Sequence, residues 1–174
     1  GAAVVLAKKK DNTLRFCVDY RLLNGVTKKD AYPLPKIEEC LDKLGGNKYF
    51  HTMDMASGYW QVKMDPKDSE KTAFSTPVGL FEWLVMPFGL CNAPATFCRL
   101  MEKVLADICW SKCLVYLGDV LSFGRDFTEA LWNLRLVLER FRRSNLRLKP
   151  KKCEFFRTHV EYLGHEVSAQ GIRP

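Results

Sequence analysis

Two aspartates stand where short turns end or join apolar segments. Asp54 lies near the end of the apolar run 49–55, and Asp119 follows Leu117-Gly118 between the apolar runs 113–116 and 120–123. Carboxylates carried on adjacent strand ends can hold Mg²⁺, which takes oxygen ligands and bridges phosphate groups. Asp is also a common turn residue. Position alone therefore leaves open whether the pair binds a metal or only shapes two turns.

The hydrophobic pattern predicts the elements that carry these aspartates. Helices are predicted after Pro33-Leu34-Pro35, at about 93–106, and from Asp126 to about 143, where Asp126 and Glu129 form a capping-box pattern. Strands are predicted at 4–7, 14–19, 49–55, 60–64, 72–76, 80–85, 113–116, 120–123, 154–156 and 160–167. Hairpins interleaved with three or four helices indicate an α+β fold, in which helices cover one face of an antiparallel sheet.

The composition is that of one domain with an excess of positive charge. The 174 residues include 27 Lys and Arg against 20 Asp and Glu, giving a formal net charge of +7, and 47% of the residues are hydrophobic. That proportion excludes wholesale disorder. No apolar run is long enough for a membrane-spanning helix, and the first residues lack the charge order of a secretory signal. We expect a domain excised from a longer protein.

The positive charge falls in two clusters on either side of a less charged middle. The first contains Lys8, Lys9, Lys10, Arg15 and Arg21, followed by Lys28 and Lys29. The second contains Arg140, Arg142, Arg143, Arg147, Lys149, Lys151, Lys152 and Arg157. Each cluster alone fits a solvated face, but together they favour a groove that binds nucleic-acid phosphates.

The seven cysteines form no regular frame. No CxxC pair occurs, and Cys109 and Cys113, four residues apart, have no second pair to complete a zinc site. We interpret them as reduced thiols of an intracellular protein.

Seven sequence blocks, in order, resemble the fingers and palm of reverse transcriptases, most closely those of gypsy-like long-terminal-repeat retrotransposons. No single block is specific, but the series covers nearly the whole chain. The blocks are Lys8-Lys9-Lys10-Asp11 with 15–24, Tyr32-Pro33-Leu34-Pro35, Met53-Asp54-Met55-Ala56-Ser57-Gly58-Tyr59-Trp60-Gln61, Lys71-Thr72-Ala73-Phe74 with 86–97, Tyr116-Leu117-Gly118-Asp119, 148–153, and Tyr162-Leu163-Gly164-His165.

The resemblance implies a right-hand polymerase palm, an antiparallel sheet backed by helices, with partial fingers and no thumb. It places fingers at about 1–48 and 66–85, and palm at about 49–65 and 86–174. The implied reaction is transfer of a dNTP to a primer 3′ end on an RNA or DNA template, with two Mg²⁺ ions, or Mn²⁺, as cofactors. The parent would be a polyprotein with thumb, connection and ribonuclease H regions, located in the cytoplasm or a virus-like particle, with no membrane partner.

The resemblance also assigns roles to individual residues. Asp54, Asp119 and the backbone of Met55 would hold metal. Lys9 and Arg15 would clamp the triphosphate, Tyr59 would exclude a ribose 2′-hydroxyl, and Phe88 and Gly89 would line the nucleotide. Leu163, Gly164 and His165 would grip the primer, and Lys149 or Lys151 would protonate pyrophosphate. From the residues alone, Tyr59 fits an ordinary palm core aromatic better than a steric gate, and the Lys9 hairpin fits a solvated turn.

Gly118 departs from the family pattern, which has Tyr-x-Asp-Asp at 116–119. Glycine removes a metal-ligating carboxylate, and the loss of that charge is expected to slow catalysis by several orders of magnitude. Glycine also suits the turn, so the fold should be unaffected. We therefore expect a folded polymerase domain with severely reduced or absent catalysis.

Three functions stay open on the sequence. The first is a reverse transcriptase domain crippled at Gly118. The second is a catalytically inactive nucleic-acid-binding remnant of such a polymerase. The third is a role in protein assembly, which the basic clusters disfavour.

Overall fold

The computed structural model describes residues 1–9 and 12–174; Lys10 and Asp11, which we placed in the basic hairpin loop, lie outside the described residues. The chain forms two compact units. The first contains Gly1–Tyr32 and Ser57–Thr96, and the second contains Pro33–Ala56 and Phe97–Pro174. Residues 33–48 thus belong to the second unit, and residues 57–65 and 86–96 belong to the first.

The elements of the described chain include eleven strands and five α-helices. The helices are α1 (Arg21–Val26), α2 (Ile37–Asp42), α3 (Pro66–Ser69), α4 (Ala93–Leu105) and α5 (Phe127–Arg143). The strands are β1 (Val4–Lys8), β2 (Leu14–Val18), β3 (Tyr49–Asp54), β4 (Phe74–Thr76), β5 (Gly79–Phe81), β6 (Cys113–Tyr116), β7 (Asp119–Gly124), β8 (Glu154–Arg157), β9 (His159–Tyr162), β10 (His165–Ser168) and β11 (Gly171–Arg173).

The first unit contains two antiparallel hairpins, β1–β2 and β4–β5. Their inner side chains form an aromatic cluster, in which the Phe16 ring lies 5.4 Å from Phe74 and 6.3 Å from Trp83. The Tyr20 hydroxyl donates a 2.8 Å hydrogen bond to the Thr72 carbonyl oxygen, which ties β2 to the segment before β4. The predicted strands of both hairpins are confirmed, with bounds shifted by one to four residues.

The predicted strand at 60–64 is wrong in its first half. Residues Gly58–Gln61 form a 3-10 helix, entered through Ser57 at φ +49°. The turn places the rings of both Tyr59 and Trp60 against Phe88, at 5.0 and 5.8 Å, which an alternating strand would not do. Only the residues around Lys63 are extended, where they pair with Val85.

The second unit is built on a four-stranded antiparallel sheet with the order β6-β7-β3-β8, and on a meander with the order β11-β10-β9. Its core gathers residues from α2, β3, β6, β7, β9 and β10: Cys40, Leu41, Leu44, Phe50, Leu114, Leu121, Phe123, Val160, Tyr162 and Val167. This cluster explains why α2 belongs with the sheet.

Helix α5 covers the sheet closely at β7. A Cβ added at Gly124 would lie 2.4 Å from the Ala130 backbone nitrogen, so only glycine permits this approach. The Asn133 amide also donates to the Phe123 carbonyl oxygen at 2.8 Å. The predicted helix start is confirmed, since Asp126 Oδ1 accepts the Glu129 N–H at 2.8 Å. The antiparallel sheet and the helix that covers it confirm the predicted α+β fold class.

No helix in the described part of the chain is both long enough and apolar enough to cross a membrane.

Candidate active site

Asp54 and Asp119 face each other at one end of the central sheet. β3 and β7 are antiparallel, and their register makes Asp54 the direct partner of Asp119. Directly opposed residues in such a pair have Cβ atoms about 4.5–5.5 Å apart on the same face of the sheet. The two carboxylates that the sequence singled out therefore share one site.

A two-residue turn brings Asp119 to this position. Tyr116 pairs with Asp119, so Leu117 and Gly118 form the whole β6–β7 connection. Leu117 has φ +54°, a left-handed conformation that a branched side chain rarely adopts. Such strain is found where a function or the surrounding structure imposes it, and here it is located next to the paired carboxylates.

Gly118 leaves a gap beside the carboxylate pair. A Cβ added there would have Phe97 Cε1, at 4.0 Å, as its nearest atom, and the residue does not have a left-handed φ. Neither space nor backbone conformation therefore requires glycine at this position. An aspartate would fit the same backbone.

The opposite edge of the Asp54 segment is held by residues 147–149. The Lys149 N–H donates to the Asp54 carbonyl oxygen at 2.8 Å, and the Ala56 N–H donates to the Arg147 carbonyl oxygen at 3.0 Å. These two hydrogen bonds flank Met55, which pairs with Leu148 without using its own carbonyl oxygen. The Met55 backbone oxygen is thus a candidate third ligand beside the two carboxylates.

Lys152 is the lysine that contacts the carboxylate pair. Its Nζ lies 3.4 Å from Asp54 Oδ2, and the 3-10 turn Pro150–Lys152 positions it there. Sequence reasoning named Lys149 and Lys151 instead. Three lysines within four residues look equivalent in the sequence, and only the turn, begun by Pro150, determines which one reaches Asp54.

The charges at the site are incompletely balanced. The pKa of Asp119 is raised, first by partial burial of the carboxylate and next by the negative charge of Asp54, while Lys152 acts in the opposite direction. Two opposed carboxylates with one lysine between them favour the addition of a cation.

The donor set suits Mg²⁺ but is small. Asp54, Asp119 and the Met55 carbonyl oxygen are hard oxygen donors of the kind that Mg²⁺ takes. Across residues 1–9 and 12–174, no group of three or more His, Cys, Asp or Glu side chains forms a metal site. The site thus has two carboxylates and a gap at Gly118 where a third would fit.

In the first unit, Lys9 and Arg15 lie on one face of the β1–β2 hairpin. The Lys9 N–H donates to the Thr13 carbonyl oxygen at 2.8 Å, and Arg15 pairs with Ala7. Alternation along the strands places positions 9, 7 and 15 on the same face. Both cations are exposed, so the hairpin can present them to an anionic ligand.

Tyr59, Phe88 and Gly89 also lie together in the first unit. The Tyr59 ring contacts Phe88, which is 44% exposed. Gly89 has φ +95°, a conformation that favours glycine, whereas an added Cβ would lie 3.4 Å from the Val18 carbonyl oxygen, which is an ordinary contact distance. The group forms an open aromatic surface, not a buried core.

The predicted primer-grip residues form the β9–β10 turn of the second unit. Leu163 and Gly164 both have positive φ, 52° and 78°, and His165 pairs with Tyr162. His165 Nδ1 lies 3.0 Å from the Leu163 carbonyl oxygen. This is a tight two-residue hairpin at the edge of the unit.

Part of the C-terminal basic cluster is already neutralised. Arg140 pairs with Asp107, and Arg142 and Arg143 both pair with Glu139. Two later members are paired as well: Arg157 Nη2 lies 3.5 Å from Glu154 Oε1, and Lys152 Nζ lies 3.4 Å from Asp54 Oδ2.

Comparison with known proteins identifies the family. The model of the family "Reverse transcriptase (RNA-dependent DNA polymerase)" matches residues 7–167. A palm-type sheet with paired carboxylates at a hairpin turn agrees with this match, and the chain belongs to the reverse transcriptase family.

The relatives are retroelement polyproteins. The chain is 45% identical over 174 residues to the retrovirus-related Pol polyprotein from transposon 297 of Drosophila melanogaster, covering 98% of this chain and 16% of that protein. It is 36% identical over 171 residues to the transposon Tf2-3 polyprotein of Schizosaccharomyces pombe, covering 98% of this chain and 13% of that protein. The chain thus spans between about one eighth and one sixth of the length of these relatives.

Solved structures of foamy viral protease–reverse transcriptase share the fold. The complex with an RNA/DNA hybrid gives a TM-score of 0.88 at 24% identity, over 98% of this chain and 23% of that chain. The complex with double-stranded DNA gives 0.90 at 24% identity, over 98% and 36%. The α+β fingers and palm fold is therefore confirmed over nearly the whole chain.

Proposed function

We propose that this chain is the fingers and palm of a template-directed nucleotidyl transferase whose catalysis is severely reduced by Gly118. Its reaction would add a dNTP to a primer 3′ end on an RNA or DNA template. One observation carries the proposal: Asp54 and Asp119 are direct partners across β3 and β7. The defect lies beside this pair: the gap at Gly118 has room for the carboxylate that the family pattern has there.

The residues of the second unit would hold the reacting groups. Asp54, Asp119 and the Met55 carbonyl oxygen would bind Mg²⁺, which supplies positive charge to the triphosphate and the attacking primer oxygen. Lys152 Nζ lies 3.4 Å from Asp54 Oδ2 and would be displaced when a cation binds there. Its ammonium group then joins Lys149 and Lys151 as a candidate to protonate the departing pyrophosphate.

The residues of the first unit would bind the incoming nucleotide. The proposal assigns Lys9 and Arg15 to the triphosphate, because the hairpin presents both cations on one exposed face. It assigns Tyr59 to exclusion of the ribose 2′-hydroxyl and Phe88 with Gly89 to the nucleotide surface. The half-buried Tyr59 ring lies 5.0 Å from the exposed Phe88 ring, centroid to centroid, and this supports the assignment over a core role.

A second function deserves the same test. A nucleic-acid-binding remnant without catalysis would retain the fold and the later basic residues, and would lack the third carboxylate, as this chain does at Gly118. The two functions differ in whether a divalent cation and a dNTP lead to chemistry.

The test is single-nucleotide addition to a primer on RNA and DNA templates, with Mg²⁺ and with Mn²⁺. Gly118→Asp restores the charge, and Gly118→Asn adds the same bulk without it. We expect Gly118→Asp to exceed the unaltered chain by at least about a thousandfold, equivalent to about 4 kcal/mol of transition-state stabilisation, and Gly118→Asn to stay at the level of the unaltered chain.

Equal and robust activity of all three proteins would contradict the proposed defect. Activity in none of them, with duplex binding retained, would favour the remnant.

A further inference from the structure

A pair of cysteines at the base of the Asp119 hairpin has no part in the proposed reaction. Cys109 lies in the turns after α4, and Cys113 is the first residue of β6. Both are free thiols; Cys113 is fully buried, and Cys109 is partly accessible. A small reagent can therefore reach the Cys109 thiol, whereas burial protects the Cys113 thiol.

The backbone holds the two cysteines side by side. They pair as parallel bridge partners, and the Trp110 N–H donates to the Cys113 carbonyl oxygen at 2.8 Å. Trp110, in the short loop between them, has φ +71°, a left-handed conformation. Neighbouring paired backbones lie about 4.8 Å apart, within the about 4.4–6.8 Å range of Cα separations in disulfides.

The surroundings give the two thiols different reactivity. The S–H group of Cys113 and the backbone N–H groups of Trp110 and Val115 stabilise the thiolate of Cys109 and lower its pKa, against the effect of burial. The pKa of Cys113 is raised, first by its contact with Cys109 and next by burial. An accessible thiol with a lowered pKa beside a buried thiol is the arrangement in which one cysteine is oxidised and the other resolves it.

We propose that Cys109 and Cys113 are an oxidisable dithiol, which a hydroperoxide converts to a disulfide that locks the base of the Asp119 hairpin. This inference is independent of the proposed polymerase activity. Within the described residues these cysteines belong to no three-ligand metal site, which favours redox chemistry over zinc binding.

The chemistry balances with hydrogen peroxide as the oxidant. The Cys109 thiolate attacks one peroxide oxygen, an S–O bond forms as the O–O bond breaks, and hydroxide leaves and takes up a proton to give water. The Cys113 sulfur then attacks the Cys109 sulfur. The S–S bond forms, the S–O bond breaks, and the departing hydroxide leaves with the Cys113 proton as a second water. Two thiols are oxidised by two electrons, and peroxide is reduced to two waters.

The locking effect follows from the position of Cys113. β6 carries the chain from Cys113 to Tyr116, and only Leu117 and Gly118 separate Tyr116 from Asp119. The turn is also joined to β7, since Ser122 Oγ donates to the Lys112 carbonyl oxygen at 3.3 Å. A covalent bond at this turn therefore restricts both strands of the hairpin.

The sequence makes the disulfide easy to detect. Trypsin cleaves after Lys103, Lys112 and Arg125, giving peptides 104–112 and 113–125 that each contain one cysteine and remain joined only through a disulfide. After treatment with hydrogen peroxide, we expect the joined pair in non-reducing mass spectrometry and its loss on reduction. Cys113→Ala should instead leave Cys109 as a sulfenic acid that dimedone traps, and Cys17→Ala, a control in the first unit, should retain the joined pair.

Two further results decide the proposal. Amide exchange in residues 113–122 should slow at least several-fold on oxidation and recover on reduction; unchanged exchange would overturn the locking effect. A joined pair that is absent in the unaltered chain, at peroxide levels that oxidise Cys17 or Cys153, would overturn the dithiol itself. A disulfide of Cys109 with Cys40 would do the same. These measurements on the unaltered chain do not depend on whether a variant folds.

Discussion

Asp119 has an unfavourable electrostatic position in the carboxylate pair. Its pKa is raised by partial burial and by Asp54, with Lys152 giving only partial relief. Because the folded state binds the Asp119 proton more tightly than the unfolded state, stability falls as the pH rises from the ordinary value of 3.8 through the higher folded pKa. At neutral pH the ionised group therefore destabilises the cation-free protein.

Asp119→Asn should remove this effect. In the presence of a chelator at neutral pH, we expect the variant to be more stable by up to about 1 kcal/mol, a small value because water still screens a carboxylate that is only partly buried. Urea unfolding measures the difference, with Asp107→Asn as a control that removes a carboxylate paired with Arg140 outside the site. A less stable Asp119→Asn would show that the carboxylate is favourably placed without a cation.

Individual site residues were predictable to different degrees. Asp54 and Asp119 follow from their positions at strand ends together with the family resemblance, because both signals are local. Their direct pairing depends on the register of β3 and β7, which are separated by more than sixty residues and which no local pattern fixes. Lys152 was missed because its role depends on a single 3-10 turn.

At the scale of elements, the sequence pattern predicted a helix correctly where the signals lie within that helix. Helix α5 was predicted from the Asp126 cap and its apolar stripe, and both signals act within the helix itself. The segment 60–64 alternates like a strand, yet its first residues form a 3-10 helix because the Tyr59 and Trp60 rings both pack against Phe88. Tertiary packing of this kind overrides local pattern.

His51 joins three elements of the second unit. It is fully buried in β3; its Nδ1 accepts the Phe156 N–H of β8 at 3.0 Å, so its Nε2–H donates to the Ala130 carbonyl oxygen of α5 at 3.2 Å. Burial lowers its pKa, with the Ala130 carbonyl opposing. The folded protein therefore keeps this histidine neutral.

The pH dependence of the free energy of unfolding should reveal the contribution of His51. A lowered pKa means that its contribution is complete above the ordinary value of 6.5 and is lost as the pH falls below it, because the unfolded chain takes up the proton first. Between pH 7 and pH 5, the unaltered chain should lose about 1 kcal/mol more stability than His51→Gln. The exposed control His159→Gln should behave like the unaltered chain, and equal losses in His51→Gln would refute this assignment.

At the scale of the whole molecule, the count of 27 Lys and Arg overstates the cations available to a partner, because several of them pair with carboxylates. Arg142 and Arg143 share Glu139, and Arg140 pairs with Asp107. The sequence showed the basic clusters, but which members are paired depends on neighbours brought close by the fold. Within the C-terminal cluster, a polyanion should therefore bind mainly through Lys149 and Lys151.

The salt dependence of duplex binding distinguishes lysines that bind phosphate from arginines that are already paired with a carboxylate. We expect log affinity to fall linearly with log salt, and Lys149→Gln with Lys151→Gln to reduce the slope by about 1.8 for DNA, since each phosphate contact contributes about 0.9. Arg142→Gln, which removes an already paired cation, should leave the slope nearly unchanged. Binding without salt dependence would favour the assembly role instead.

Binding of Mn²⁺, followed by electron paramagnetic resonance, tests most directly whether Asp54 and Asp119 form a cation site that lacks one carboxylate. The account predicts that Gly118→Asp binds Mn²⁺ at least tenfold more tightly than the unaltered chain, equivalent to about 1.4 kcal/mol, and that Asp119→Asn loses the site. Equal Mn²⁺ affinity in the unaltered chain, Gly118→Asp and Asp119→Asn would contradict it.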